Sequence, residues 1–168
     1  MFYTSKSSFA RPANTTQYAA NELVANSATA ASVEPLRFSV EKSAGRGRIC
    51  RARIYSSNSA VTAANFNLHL YSRNPGTPTN GDNGAFAVAS GRYWLGTVAC
   101  DLSSGAEITT STDKSKGFAI SGFIQFDLES EGDWATSRAI YGLLETAAAA
   151  TYTPISGEVF EVALEIEA

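Results

Sequence analysis

The chain has 168 residues, 44% hydrophobic and 17% charged, with a formal net charge of −3; this is one domain of ordinary size, with room for a core and a globular composition. No apolar run approaches 18 residues, which excludes a transmembrane helix. Two cysteines, Cys50 and Cys100, are too few for a disulfide scaffold or a thiolate zinc site; they read as buried free thiols, with a single Cys50–Cys100 bridge as the alternative.

Residues 1–35 differ from the rest. They are rich in Ser, Thr, Asn and Ala, with isolated aromatics at Phe2, Tyr3, Phe9 and Tyr18. No run of strand or helix period appears before Leu36, so the segment reads as an extended N-terminal arm. Within it, 17–26 has some helix propensity, but Tyr18, Leu23 and Val24 make a poor helical stripe and an extended path competes. The opening MFYTSKSSFARP lacks the apolar segment of a secretory signal, so synthesis in a cytoplasm is expected.

From Leu36 onward strand patterns follow one another. Leu36, Phe38 and Val40 alternate inward over 36–42, and Gly45-Arg46-Gly47 forms a turn. A strand at 48–56 then sets Cys50, Ala52 and Ile54 opposite Arg51, Arg53 and Tyr55. Phe66, Leu68 and Leu70 line one face of 64–72, with His69 on the other. Residues 73–84, dense in Pro, Gly, Asn and Asp, form a long loop, and 84–90 fits a short helix or a turn. Strands follow at 92–103 and 106–112. Residues 117–129 give the cleanest alternation, interrupted at Gly122, where a bulge or a close backbone approach is expected. Strands at 137–146 and 157–168 complete the series; the last points Phe160, Val162, Leu164 and Ile166 inward. Without crossover helices a parallel sheet is ruled out. The expected fold is all-β: an antiparallel β-sandwich or jelly-roll-like body over 36–168, carrying the arm of 1–35.

Charge is split along the chain. Residues 1–53 hold eight Lys/Arg against three Glu, and residues 54–168 hold five against thirteen acids. Such polarity suits heterologous packing between copies or partners. The arginines Arg46, Arg48, Arg51 and Arg53 concentrate on one strand, but no nucleic-acid fold signature accompanies them, so direct nucleic-acid binding is not expected.

The search for catalytic chemistry is negative. His69 is the sole histidine, and no nucleophile motif surrounds any serine. Asp127, Glu129, Glu131 and Asp133 read as a strand end and its turn, although a carboxylate pair there would suit glycoside hydrolysis. NGDNG at 80–84 reads as Asx-type turn chemistry, short of a calcium loop. Tyr93, Trp94 and Trp134 offer a sugar-stacking platform, the basis of an alternative reading as an adhesin for host glycans. No cofactor, metal or enzymatic activity is expected.

The stretch 9–40 resembles the N-terminal pattern of small virion proteins encoded near the capsid genes of tailed bacteriophages. The matching positions are Phe9, Arg11, Pro12, Thr15, Tyr18, Ala19, Ala20, Glu22, Leu23, Val24, Ala25, Asn26 and Ser27, and LHLYSRNP (68–75) and GDNGAF (81–86) are similar to that group as well. Asn21-Glu22 departs from the Gly-Asp of the pattern. The resemblance implies a head decoration (cement) protein on the outer capsid surface, bridging capsomers, with the major capsid protein as partner and a trimer as the expected homo-oligomer. The interface residues expected on this view are Phe2, Tyr3, Phe9, Arg11, Tyr18, Leu23 and Val24 in the arm, and Arg46, Arg48, Arg51 and Arg53 on the basic strand.

Overall fold

The computed structural model describes residues 1–41, 45–59, 65–102, 108–131, 138–147 and 151–168, with the backbone alone for Glu131. In chain order these residues form β1 (Phe2–Ala10), β2 (Leu23–Val24), a 3-10 turn (Ala30–Ser32), β3 (Leu36–Ser39), β4 (Arg46–Ser56), β5 (Asn65–Tyr71), β6 (Trp94–Asp101), β7 (Ile108–Thr109), β8 (Lys114–Asp127), α1 (Leu128–Glu131), β9 (Ala139–Thr146) and β10 (Val159–Glu167). The strands make two antiparallel sheets. One runs β1-β10-β4-β8-β7. In the other, one side of β9 takes β2 and β3 end to end, and its far side takes β5, which pairs with β6.

The pairing is nested. Leaving aside the two-residue strands β2 and β7, the first strand pairs with the last (β1 with β10), then β3 with β9, β4 with β8 and β5 with β6. That is the pattern of one long hairpin folded across itself, closed by β10 on β4 and β9 on β5. The inward positions of the two sheets share one core that includes Leu36, Phe38, Ile54, Phe66, Leu68, Leu70, Phe126 and Phe160. On β10, Phe160, Val162, Leu164 and Ile166 are each fully buried. At about 1.5–3 kcal/mol per side chain, this strand alone contributes about 6–12 kcal/mol of gross transfer free energy, an upper bound because the unfolded chain is itself partly compact.

The expected extended arm is not there. Residues 2–10 form β1, paired in full register with 159–167 of β10. Its inward positions Tyr3 and Phe9 pack against the core, while Ser5 and Ser7 fill the places between. Those two serines remove the apolar period that would have announced a strand. Beyond β1, Tyr18 bridges to Tyr152, and Leu23 and Val24 form β2 on β9. Tyr18 and Leu23 are fully buried and Val24 nearly so. The extended alternative therefore prevails over a helix at 17–26. Asn21 sits at φ 59°, a left-handed conformation that Asn tolerates, so it performs the turn that Gly would otherwise make.

Two further details differ from the alternation read in the sequence. Ile49 pairs with Ile124 and Arg51 with Ala119, leaving Cys50 opposite four residues, Ile120 to Phe123. This bulge turns Ile49 inward in place of Cys50, which is only half-buried, while Cys100 is fully buried and both thiols are free. Gly122 at φ 77° and Phe123 at φ 57° make the turn of the bulge. A Cβ added at Gly122 would meet nothing within 4 Å, so conformation rather than close approach calls for glycine there. Every residue of β9 is buried, because its outer face is also covered: Leu23, Ala25, Val33, Tyr71, Ala139, Tyr141 and Leu143 form a second cluster, joined by Phe86 and Val88. The 84–90 segment contributes to this cover through a bridge between Ala85 and Glu22, and the described residues there include no helix.

Candidate functional site

The residues expected to form one interface separate into three groups. Tyr3, Phe9, Tyr18, Leu23 and Val24 are built into the core. Arg11 is buried too, in an ion pair with Asp82 of the 73–84 loop: Nη2 lies 2.7 Å from Oδ2, with side chains 0% and 1% exposed. Arg11 Nε donates to the Tyr18 hydroxyl, which donates to Asp82 Oδ1 at 2.5 Å, and the Ala25 amide donates to the same oxygen at 2.9 Å. Burial, reinforced by the Asp82 charge, pushes the Tyr18 phenol well above its ordinary pKa. NGDNG is thus more than a solvated turn, since Asp82 ties the 11–25 segment to the body. A second buried network joins Tyr152 and Ser56, whose hydroxyls donate to Glu158, with Asn58 Nδ2 3.4 Å from the same carboxylate. Burial first, then the Glu158 charge, raises the Tyr152 phenol.

The third group comes together on the outer face of the β1-β10-β4-β8 sheet. Phe2 pairs with Glu167, Glu167 with Arg48 and Arg48 with Gln125, which sets them in one row across four strands. Arg48 Nη2 lies 2.5 Å from Glu167 Oε2, and its guanidinium stands 4.4 Å over the Phe123 ring. Arg46 binds Asp127 at 2.8 Å, and Arg51 lies 3.5 Å from Glu165. The charge split read along the chain is therefore partly answered inside one sheet, where basic β4 runs beside acidic β10. Exposed apolar side chains flank that row on both sides: Met1 and Phe2 at its β1 end and Phe123 beside Arg48 toward β8 are 83%, 68% and 45% exposed. A shallow depression there is lined by Met1, Arg46, Arg48, Gln125 and Ala168. Of the expected interface residues, Phe2, Arg46 and Arg48 meet on this rim. Met1 and Phe123 belong to it as well; Phe123 falls on the outward side of the 117–129 alternation, opposite buried Ile124 and Phe126. Among the remaining arginines, Arg53 stands opposite Ala163 and Gly117.

On the outer face of the other sheet, His69 joins Glu145 (Nε2 to Oε2, 2.7 Å) and Thr97 (Nδ1 to Oγ1, 2.8 Å) and stacks on Phe86 at 4.6 Å. Burial and the Glu145 charge push the neighbouring Tyr71 phenol up to about 12. His69 thus links the Thr97 hydroxyl on β6 to the Glu145 carboxylate on β9. Asp127 binds Arg46 and accepts from the Glu129 and Ser130 amides at the start of α1; Asp133 and Trp134, and the side chain of Glu131, fall outside the described residues. No group of three or more His, Cys, Asp or Glu poised to hold a metal occurs among the described residues, and no described helix is long and apolar enough to cross a membrane. No known protein-family model matches this sequence, and no curated protein matches it.

Proposed function

We propose that this protein is a structural docking protein of a phage particle, a capsid decoration protein that seats on the major capsid protein through the Met1–Phe2–Phe123 rim. The observation that carries the reading is the exposure of Met1 and Phe2 at one end of the Glu167–Arg48–Gln125 row and of Phe123 at the other, on a face otherwise laced with ion pairs. Large exposed apolar side chains set among arginines suit a contact surface, where arginine and phenylalanine are favoured. The nested pairing of the eight main strands supports a jelly roll, two interlocked Greek keys, which agrees with the fold that the phage-virion resemblance implies. Capsid surface, capsomer bridging and a trimeric state follow from that resemblance. Repetition on a symmetric lattice then turns modest single-site affinity into avidity.

Deletion of the N-terminal residues cannot test this idea, because removing β1 strips Tyr3 and Phe9 from the core. The test is a Phe2→Ser/Phe123→Ser double variant, with thermal unfolding as the control for folding, added to phage heads lacking the protein and measured by co-sedimentation. The native chain is expected to saturate the heads at a fixed stoichiometry. The variant should bind at least about tenfold more weakly, as loss of two contact anchors requires. Failure of the native chain to bind heads, or equal binding by the variant, overturns the proposal. Exposed Trp94 favours a second reading, host-glycan binding at another face.

A further inference from the structure

We infer that the cleft between residues 73 and 91–94 is a binding site for an acidic sugar, with Trp94 as the stacking platform and Arg92 as the carboxylate partner. This goes beyond the docking role and uses different residues. The cleft measures about 570 Å3, within the ~300–1,000 Å3 usual for small-ligand sites, and is lined by Arg73, Arg92, Tyr93, Trp94 and Ser130. Its aromatic element is held in place. Trp94 is 53% exposed, yet its indole N–H donates to Thr97 Oγ1 at 3.3 Å. Thr97 is fixed in turn by His69, and His69 by Glu145. An indole that offers a face to solvent while its edge is tethered loses little freedom when a pyranose ring stacks on it.

The polar side of the cleft is equally set. The Trp94 amide donates to the Gly91 carbonyl at 3.1 Å and the Arg92 amide to Ser90 Oγ at 3.2 Å, which fixes the turn carrying Arg92. The Tyr93 carbonyl accepts from the Ser72 amide at 2.9 Å. The Tyr93 ring lies under the Arg73 guanidinium at 4.6 Å, and its hydroxyl accepts from Arg73 Nη1 at 3.1 Å, so Arg73 is engaged in holding the wall. Arg92 stands 5.8 Å from the same ring, is exposed, and pairs with no carboxylate among the described residues. A planar, forked cation beside an open aromatic face matches a ligand with one carboxylate next to an apolar ring face.

A nucleic acid strand also combines stacking with anionic groups, but the surroundings disfavour it. Ser130 borders the cleft on α1, and Asp127 and Glu129 precede it on the same short segment. Among the described residues the lining offers no cation beyond Arg92 and Arg73, which holds Tyr93, so a ligand with one carboxylate fits it better than a strand of phosphates.

The test is a titration of the full 15N-labelled chain with methyl galacturonoside, which carries one carboxylate, its methyl ester and oligothymidylate, reading the Trp94 indole N–H resonance assigned through Trp94→Phe. Methyl esterification removes the charge and keeps the ring. The acid is expected to shift the resonance saturably and the ester to bind about tenfold more weakly, the loss expected for one charge-assisted contact. Arg92→Gln should bring the acid to the level of the ester and leave the ester unchanged. Equal affinity for acid and ester, indifference to Arg92→Gln, absence of a saturable shift, or tighter binding of oligothymidylate each overturns the inference. A chain that passes this test and fails to bind heads would separate the cleft from the docking rim.

Discussion

Replacing Asp82 by Asn tests how the N-terminal segment is held. The Asp82 carboxylate accepts from Arg11 Nη2 at 2.7 Å, the Tyr18 hydroxyl at 2.5 Å and the Ala25 amide at 2.9 Å, with its side chain only 1% exposed. Asparagine keeps one oxygen but turns an NH2 toward a guanidinium that has no water to turn to. Breaking one side of a buried pair costs about 3–5 kcal/mol, a large share of the ~5–15 kcal/mol that holds a domain together. For a chain of this size the melting temperature should fall by about 6–20 °C, at ~2–4 °C per kcal/mol. Urea and thermal unfolding followed by circular dichroism would read the loss. A triple variant, Arg11→Met/Tyr18→Phe/Asp82→Leu, removes charge and hydroxyl together and should be more stable than the single variant. An Asp82→Asn cost under about 1 kcal/mol, or a triple variant less stable than the single one, would refute the view that this pair pins residues 11–25 to the body.

Two further outcomes follow from burial and close approach. Of the seven tyrosines, Tyr3, Tyr18, Tyr71 and Tyr152 are raised by burial and by nearby carboxylates, so the folded state favours their neutral phenols. Their contribution is intact below the unfolded value of about 10 and is lost as pH rises toward the folded values, about 12 for Tyr71; ultraviolet titration should show these four ionising late, together with alkaline unfolding. A Cβ on Gly81 would lie 2.1 Å from the Ala28 carbonyl oxygen and 2.9 Å from the Thr29 nitrogen, so Gly81→Ala should destabilise by about 1–3 kcal/mol in urea unfolding.

The strands of the body were legible because their inward residues are large and apolar at period two. The stretches 36–42, 48–56, 64–72, 92–103, 117–129 and 157–168 all contain observed strands. β1 was not legible, because Ser5 and Ser7 occupy inward places beside β3, where Ser7 Oγ accepts the Arg37 amide at 3.0 Å. A serine that serves an edge in this way looks, in sequence, like loop composition. Nor could the sequence show that Arg11 is a buried ion, since its partner lies 71 residues away. The rim was not legible for another reason: alternation sets Phe123 on the face opposite Ile124 and Phe126, but only the strand order β1-β10-β4-β8 brings it to the same sheet face as Phe2 and Arg48.

Folding the N-terminal segment into the body changes how it could serve a docking protein. A free arm would have to order about 35 residues on its partner, at about 1–2 kcal/mol each, which few aromatic anchors can offset. Here β1 is ordered by nine pairs with β10 before any partner arrives, and Phe2 stands at its first position. Phe123 is fixed in the same way by the bulge and by Arg48 above its ring. The two aromatics span up to three strand spacings, about 14 Å, on a surface that needs no rearrangement, so their burial goes into affinity instead of ordering.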